Sequence, residues 1–282
     1  MDKIKSLEDM LNKYVALNKL IVDEQAMAIV PTLRKAKLPV NDLDVEEDFI
    51  FFCFTKFTKT LISIQCLIRQ HLFEDSLILT RSNYECLINA KSVINDEDMV
   101  DHLVEYKLGI TTGKYTHPLT QKSKPIRNKL ERSKDSTGSF EYFYQINTIA
   151  EKANETITYE SLYSYLCEIT HCNFLTSGYY RNGTNYSYKN ESPSALLNVL
   201  LWNVFLNLKF FNTLIEAEIF DIPDLEEQVI GVLSSDVIKI IEIFEEEEKE
   251  INKSIEEETN EDNKAEMIDS LERISILKEN FI

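Results

Sequence analysis

Ser192–Phe220 reads SPSALLNVLLWNVFLNLKFFNTLIEAEIF, and this stretch decides the fold. Ser192 is a residue type that caps helix N-termini, and Pro193 suits the first helical position, so a helix starts here. Its apolar side chains fall on nearly all sides, interrupted by Asn198, Asn203, Asn207, Lys209 and Asn212. That pattern predicts a helix packed against several others rather than a bilayer span. With only 6 Gly and 6 Pro in 282 residues, too few turn formers remain for a strand-rich chain, and 44% apolar content suffices for a real core. The expected fold is all-α, a multi-helix bundle.

Working outward, Ile4, Leu7, Leu11, Tyr14 and Ile21 recur at helical spacing, predicting a first helix to about Val30, followed by a loop over Lys37 to Asp44. Glu46 to about Leu72 carries Ile50, Phe51, Phe54, Phe57, Leu61 and Ile64 and should be a central helix. Ser76 to about Ile94 and Asp98 to about Leu108 continue helically, and Gly109 to Gly138 reads as a long connection. Phe140 to about Ala153 and Thr158 to about Phe174 predict aromatic-rich helices, separated from the Ser192 helix by a Tyr-, Gly- and Asn-rich loop. After the break at Asp221-Ile222-Pro223-Asp224, Ile230, Leu233, Val237, Ile240 and Phe244 form one stripe, and Met267, Leu271, Ile274 and Phe281 a second. These predict an antiparallel acidic hairpin with a turn at Thr259 to Asn263. The expected division is a bundle domain over 1–220 and a hairpin over 224–282. The exposed stripe of such a hairpin would favour a homodimer.

The net charge of −18 is lopsided: Asp224 to Ile282 holds 19 acidic and 6 basic residues. An acidic chain does not coat DNA or anionic membrane broadly, because phosphate binding needs clustered Lys and Arg. The local basic cluster is Gln121 to Lys134, where Lys124 and Arg127 are candidate phosphate contacts. Five cysteines without a C-x-x-C pair read as reduced thiols, and Met1-Asp2-Lys3-Ile4 lacks the apolar core of a signal peptide. The expectation is a cytoplasmic protein with no membrane partner. No nucleotide-binding glycine loop, complete metal site or nucleophile elbow is present, so neither cofactor nor metal is expected.

Three constellations carry possible chemistry. Glu168 and His171 stand at i and i+3 of a predicted helix, half of a di-metal ligand set, but no second Glu-x-x-His exists. A partly buried His171 bonded to Glu168 or to a backbone carbonyl is the plainer reading. Arg81 and Glu85, at i and i+4 among leucines and isoleucines, form either a register-fixing ion pair or half of a site in which Arg81 faces His171. In the second case Arg81 stabilises negative charge and His171 moves a proton, a division of labour suited to cleaving RNA without metal. The loop Tyr179-Tyr180-Arg181 to Lys189 interleaves tyrosines with cations, as single-strand binders do, although a surface loop ordered by its own tyrosines is the plainer reading.

Arg81-Ser82-x-x-Glu85, followed by Tyr163, Leu166 and Glu168-x-x-His171-x-Asn173, resembles a widespread group of bacterial helical proteins of unknown function. That group looks distantly similar to the HEPN helical bundles, which include toxins and abortive-infection ribonucleases. This chain has Ser164, Tyr165 and Leu166 where HEPN ribonucleases place an Arg, and Cys172 where the group often has Pro. The resemblance implies a toxin or phage-defence effector acting on RNA, with Arg81, Glu85, Glu168 and His171 catalytic. Asn173, Tyr179, Tyr180 and Arg181, with Lys124 and Arg127, would bind substrate. The competing expectations are a non-catalytic helical interaction protein and, more weakly, a metal-bound site using Glu85, Glu168 and His171.

Overall fold

The computed structural model describes residues 3–24, 45–143, 145–171 and 174–279. The expected loop over Lys37 to Asp44, the end of the first helix, Asn173 and Phe281 lie outside the described residues. The fold is an all-α multi-helix bundle with a C-terminal helical hairpin. Its long helices are α1 (Lys3–Glu24), α2 (Val45–Arg69), α3 (Phe73–Asn95), α8 (Pro193–Glu216), α9 (Pro223–Glu257) and α10 (Glu261–Glu279). Between α3 and α8 come short helices α4 (Tyr106–Thr111), α5 (Ile146–Lys152), α6 (Thr156–Thr158) and α7 (Ser164–Thr170) and strands β1 to β5. The described residues gather into two compact units, one from 3–24, 54–87, 157–171 and 174–279, the other from 45–53, 88–143 and 145–156.

In the first unit α8 is the core helix. Ser192 caps it, its hydroxyl accepting from the Ala195 N–H, and Pro193 opens it. Phe205, Phe210, Phe211 and Leu214 are fully buried. Phe210 meets Phe54 and Phe57 of α2 edge-on at 5.2 and 5.0 Å, and Tyr14 of α1 meets Phe211 at 5.6 Å. Two of the asparagines that break its apolar run are buried and paired: Asn18 Nδ2 of α1 donates to Asn207 Oδ1 at 2.7 Å, and Asn203 Nδ2 to Thr80 Oγ1 at 2.8 Å. Both α2 and α8 are long and apolar enough to cross a membrane by length and composition, and 72% of the apolar window of α8 is buried within the fold, as in a core helix.

The acidic hairpin belongs to this first unit, which places no unit boundary at Asp221. Phe244 of α9 lies 6.2 Å from both Trp202 and Phe205. The buried stripe of α9 is Leu225, Val229, Val232, Asp236, Ile240, Ile243 and Phe244: Ile240 and Phe244 are as expected, whereas Val229, Val232 and Asp236 are buried one position before the expected Ile230, Leu233 and Val237, and Ile230 is exposed. Helix α9 packs against α8, α1 and α10, so its covered face is set by more than one neighbour. Of the hairpin's apolar residues, Ile240, Ile243, Phe244, Ile274 and Leu277 are buried within the chain, whereas Ile230, Ile238, Ile268 and Ile276 are exposed.

The second unit departs from the all-helical expectation. The segment expected as a long connection holds an antiparallel sheet of β1 (Tyr115–Thr116), β2 (Lys129–Arg132) and β3 (Asp135–Glu141), in that order. Leu130 pairs with Phe140, which therefore lies in a strand rather than opening a helix, and α5 begins only at Ile146. Aromatic residues suit a pleated, half-buried surface, and a short apolar run does not distinguish helix from strand. Tyr115, Leu130 and Tyr142 form a small core flanked by Tyr106, Ile110 and Phe140. Gly109 lets the Tyr115 ring approach so closely that a Cβ there would sit 2.0 Å from it. His102, in a π-helical turn (Asp101–Glu105), is buried: the Phe143 N–H donates to its Nδ1 at 3.2 Å and the Phe143 ring stacks on it at 4.1 Å. Burial holds its imidazole below the usual range despite Asp98 and Asp101 nearby.

Candidate functional site

Arg81 and Glu85 lie one turn apart on α3 and meet Tyr163, the last residue of a π-helical turn (Tyr159–Tyr163) that leads into α7. The wider turn brings Tyr159 and Tyr163 into a stack at 5.2 Å, while Tyr84 of α3 lies 5.3 Å from Tyr163. With its ring so held, the Tyr163 hydroxyl accepts from Arg81 Nε at 3.1 Å and Nη2 at 2.9 Å and donates to Glu85 Oε1 at 2.9 Å. Arg81 Nε also lies 3.3 Å from Glu85 Oε1. The phenol is pushed well above its ordinary range by burial and by its bond to Glu85, with Arg81 opposing. Arg81 and Tyr163 also act on the Cys167 thiol, whose titration burial nevertheless raises. The sequence reading paired Arg81 with Glu85; it missed Tyr163 as their link, whose signal was the Tyr159/Tyr163 repeat at four residues.

Glu168 and His171 are exposed. Helix α7 ends at Thr170, and His171 is extended at φ −90° and ψ 146°, so the helical i, i+3 relation expected for the pair does not form. The His171 N–H donates to the Cys167 carbonyl at 3.2 Å. No side-chain bond joins Glu168 to His171, and none joins Arg81 to His171, among the described residues; the partly buried, bonded histidine of the plainer reading is not what forms. Among these residues, too, no group of three or more His, Cys, Asp and Glu is placed to hold a metal ion.

After His171, a 3-10 helix (Phe174–Tyr180) leads into a hairpin of β4 (Arg181–Asn182) and β5 (Asn185–Tyr186). Tyr179 anchors it: its hydroxyl bonds that of Tyr165 at 2.8 Å, and its carbonyl accepts from Asn190 Nδ2 at 3.3 Å. Arg273 of α10 lies over the Tyr165 ring, 4.4 Å from its centroid, so the acidic hairpin touches this segment through a cation. Tyr180 is exposed, its carbonyl accepting from the Ser187 N–H. Arg181 is flanked by the rings of Phe174 and Tyr186. Lys124 and Arg127 are exposed in the second unit, apart in the chain from this constellation.

The class of the protein is an all-α bundle, in which partly exposed Arg81 and Glu85 close on a buried Tyr163. The chain belongs to DUF5677, a family of unknown function whose model matches residues 47–187, half its length. The match takes in Arg81, Glu85, Tyr163, Glu168, His171 and the Tyr186 hairpin. No curated protein and no solved structure matches the chain.

Proposed function

We propose that the protein is a cytoplasmic bacterial effector, of the toxin or phage-defence type and distantly HEPN-like, that cleaves RNA without a metal ion. The observation that supports this most is that Arg81 is held by Tyr163 at the start of the segment whose far end carries the exposed His171, with the His171 N–H donating to the Cys167 carbonyl. In this reading His171 takes the proton of a ribose 2′-hydroxyl as that oxygen attacks the adjacent phosphorus. The P–O5′ bond breaks, the 5′-oxygen takes a proton from water, and a 2′,3′-cyclic phosphate remains. Arg81 stabilises the charge that builds on the phosphoryl oxygens, and Glu85 with Tyr163 holds the guanidinium.

A second reading, a non-catalytic interaction protein, draws on the closed Arg81–Tyr163–Glu85 network, which by itself suffices to fix α3 against the Tyr159–Thr170 segment. One experiment separates the two. Intact protein and His171→Ala are induced in bacteria and total RNA is examined, then purified protein is incubated with RNA in chelator. Growth arrest and chelator-resistant cleavage that vanish with His171→Ala are expected. RNA that stays intact with purified wild-type protein, or cleavage undiminished by the substitution, rejects the catalytic role and leaves the interaction reading.

A further inference from the structure

The hairpin that follows His171 is built to hold aromatic rings in water. Its two-residue turn, Gly183-Thr184, has Gly183 at φ +60°, the left-handed backbone that tight hairpin turns require. Its foot is fixed by the Tyr165–Tyr179 hydroxyl bond and by the Asn190 N–H, which donates to the His71 carbonyl at 2.9 Å. From this support Phe174, Tyr186 and Tyr188 project at 76%, 75% and 78% exposure. Arg181 sits 5.5 Å from the Phe174 ring centroid and 5.3 Å from that of Tyr186, and Lys189 lies 5.9 Å from that of Tyr188. No carboxylate pairs with Arg181 or Lys189 among the described residues. Three large rings left in water within fifteen residues mark a surface that something covers.

The chemistry of that surface is rings alternating with cations. Ring faces stack on unpaired bases of any sequence, while a guanidinium between two rings offers its N–H groups to phosphate. A duplex hides its base faces, and the acidic remainder of the chain repels a long phosphate lattice. We propose that Phe174, Arg181, Tyr186, Tyr188 and Lys189 form a docking platform for a short stretch of unpaired RNA, an inference that rests on the RNA reading above and names its substrate as single-stranded.

The test uses full-length His171→Ala protein and a fluorescein-labelled twelve-nucleotide RNA of mixed sequence, read by anisotropy. Combining Tyr186→Ala with Tyr188→Ala should weaken binding by about tenfold or more, while Tyr186→Phe with Tyr188→Phe, which keeps the rings, should stay within about twofold. Two phosphate contacts predict a slope of about −1.4 in log K against log salt. Binding unchanged by the alanine pair in protein of unaltered circular dichroism overturns the proposal. So does equal binding of the duplex or of heparin, or tighter binding of the same sequence as DNA. Hairpin-dependent binding without cleavage by wild-type protein would sink the catalytic reading alone, and cleavage indifferent to the hairpin would sink this inference alone.

Discussion

Asp236 of α9 is fully buried, yet it carries charge because its neighbours answer it. Tyr14 donates to it at 3.0 Å, Lys239 at 3.0 Å and Ser235 at 2.9 Å, and Lys13 completes an ion pair from α1. Burial alone would raise this carboxyl, but the bonds from Lys13, Lys239 and Ser235 outweigh it and hold the group below its usual range. A carboxyl lowered in the folded state is protonated first in the unfolded chain as pH falls. Its contribution is therefore complete above the unfolded value, about 3.9, and disappears as pH drops through the folded one. Asp236→Asn should cost about 2–4 kcal/mol at pH 7 and flatten the loss of stability below about pH 4, as read from urea midpoints at pH 7 and pH 3. An unchanged midpoint at pH 7 would show that this buried charge contributes nothing net. In the sequence Asp236 is one of many acidic residues in the tail, and nothing in their spacing marks the buried one.

At the scale of elements, the helices show in the sequence wherever the apolar repeat is long. The periodicity of α2, α3 and α8 and the Ser192-Pro193 start signal locate them to within a few residues. Helix α8 carries the most concentrated packing, and Phe210→Ala would empty the contact with Phe54 and Phe57. A loss of about 3–5 kcal/mol is expected, with an earlier urea midpoint and an unchanged slope. A shift worth under about 1 kcal/mol would mean that α2 and α8 collapse into the space. The sheet of the second unit stayed hidden because β1 and β2 are 2 and 4 residues long, too short for alternation to register. The charged composition of β2 reads as loop until Leu130 meets Phe140 across the ladder.

For the whole molecule, the sequence suggested a detachable tail, whereas α9 covers Trp202 and Phe205 and lends Asp236 to Tyr14. Ending the chain at Phe220 would uncover the α8 core. The shortened chain should bind a hydrophobic dye, elute as aggregate and lose its cooperative melting transition. A soluble, cooperatively melting fragment would show instead that the bundle is complete without the hairpin.

The sequence by itself determined the helical class, the order of the long helices, the acidic hairpin and the Arg81–Glu85 pair, because periodicity, capping and i, i+4 spacing act within one turn or one element. Tertiary structure alone decided that Tyr163 closes that pair, that His171 leaves its helix for solvent, that Asp236 is the buried acid and that three rings of the hairpin stand in water. The bonds of Tyr163 and Asp236 reach across elements, where the packing of the chain and not local spacing decides which residues meet.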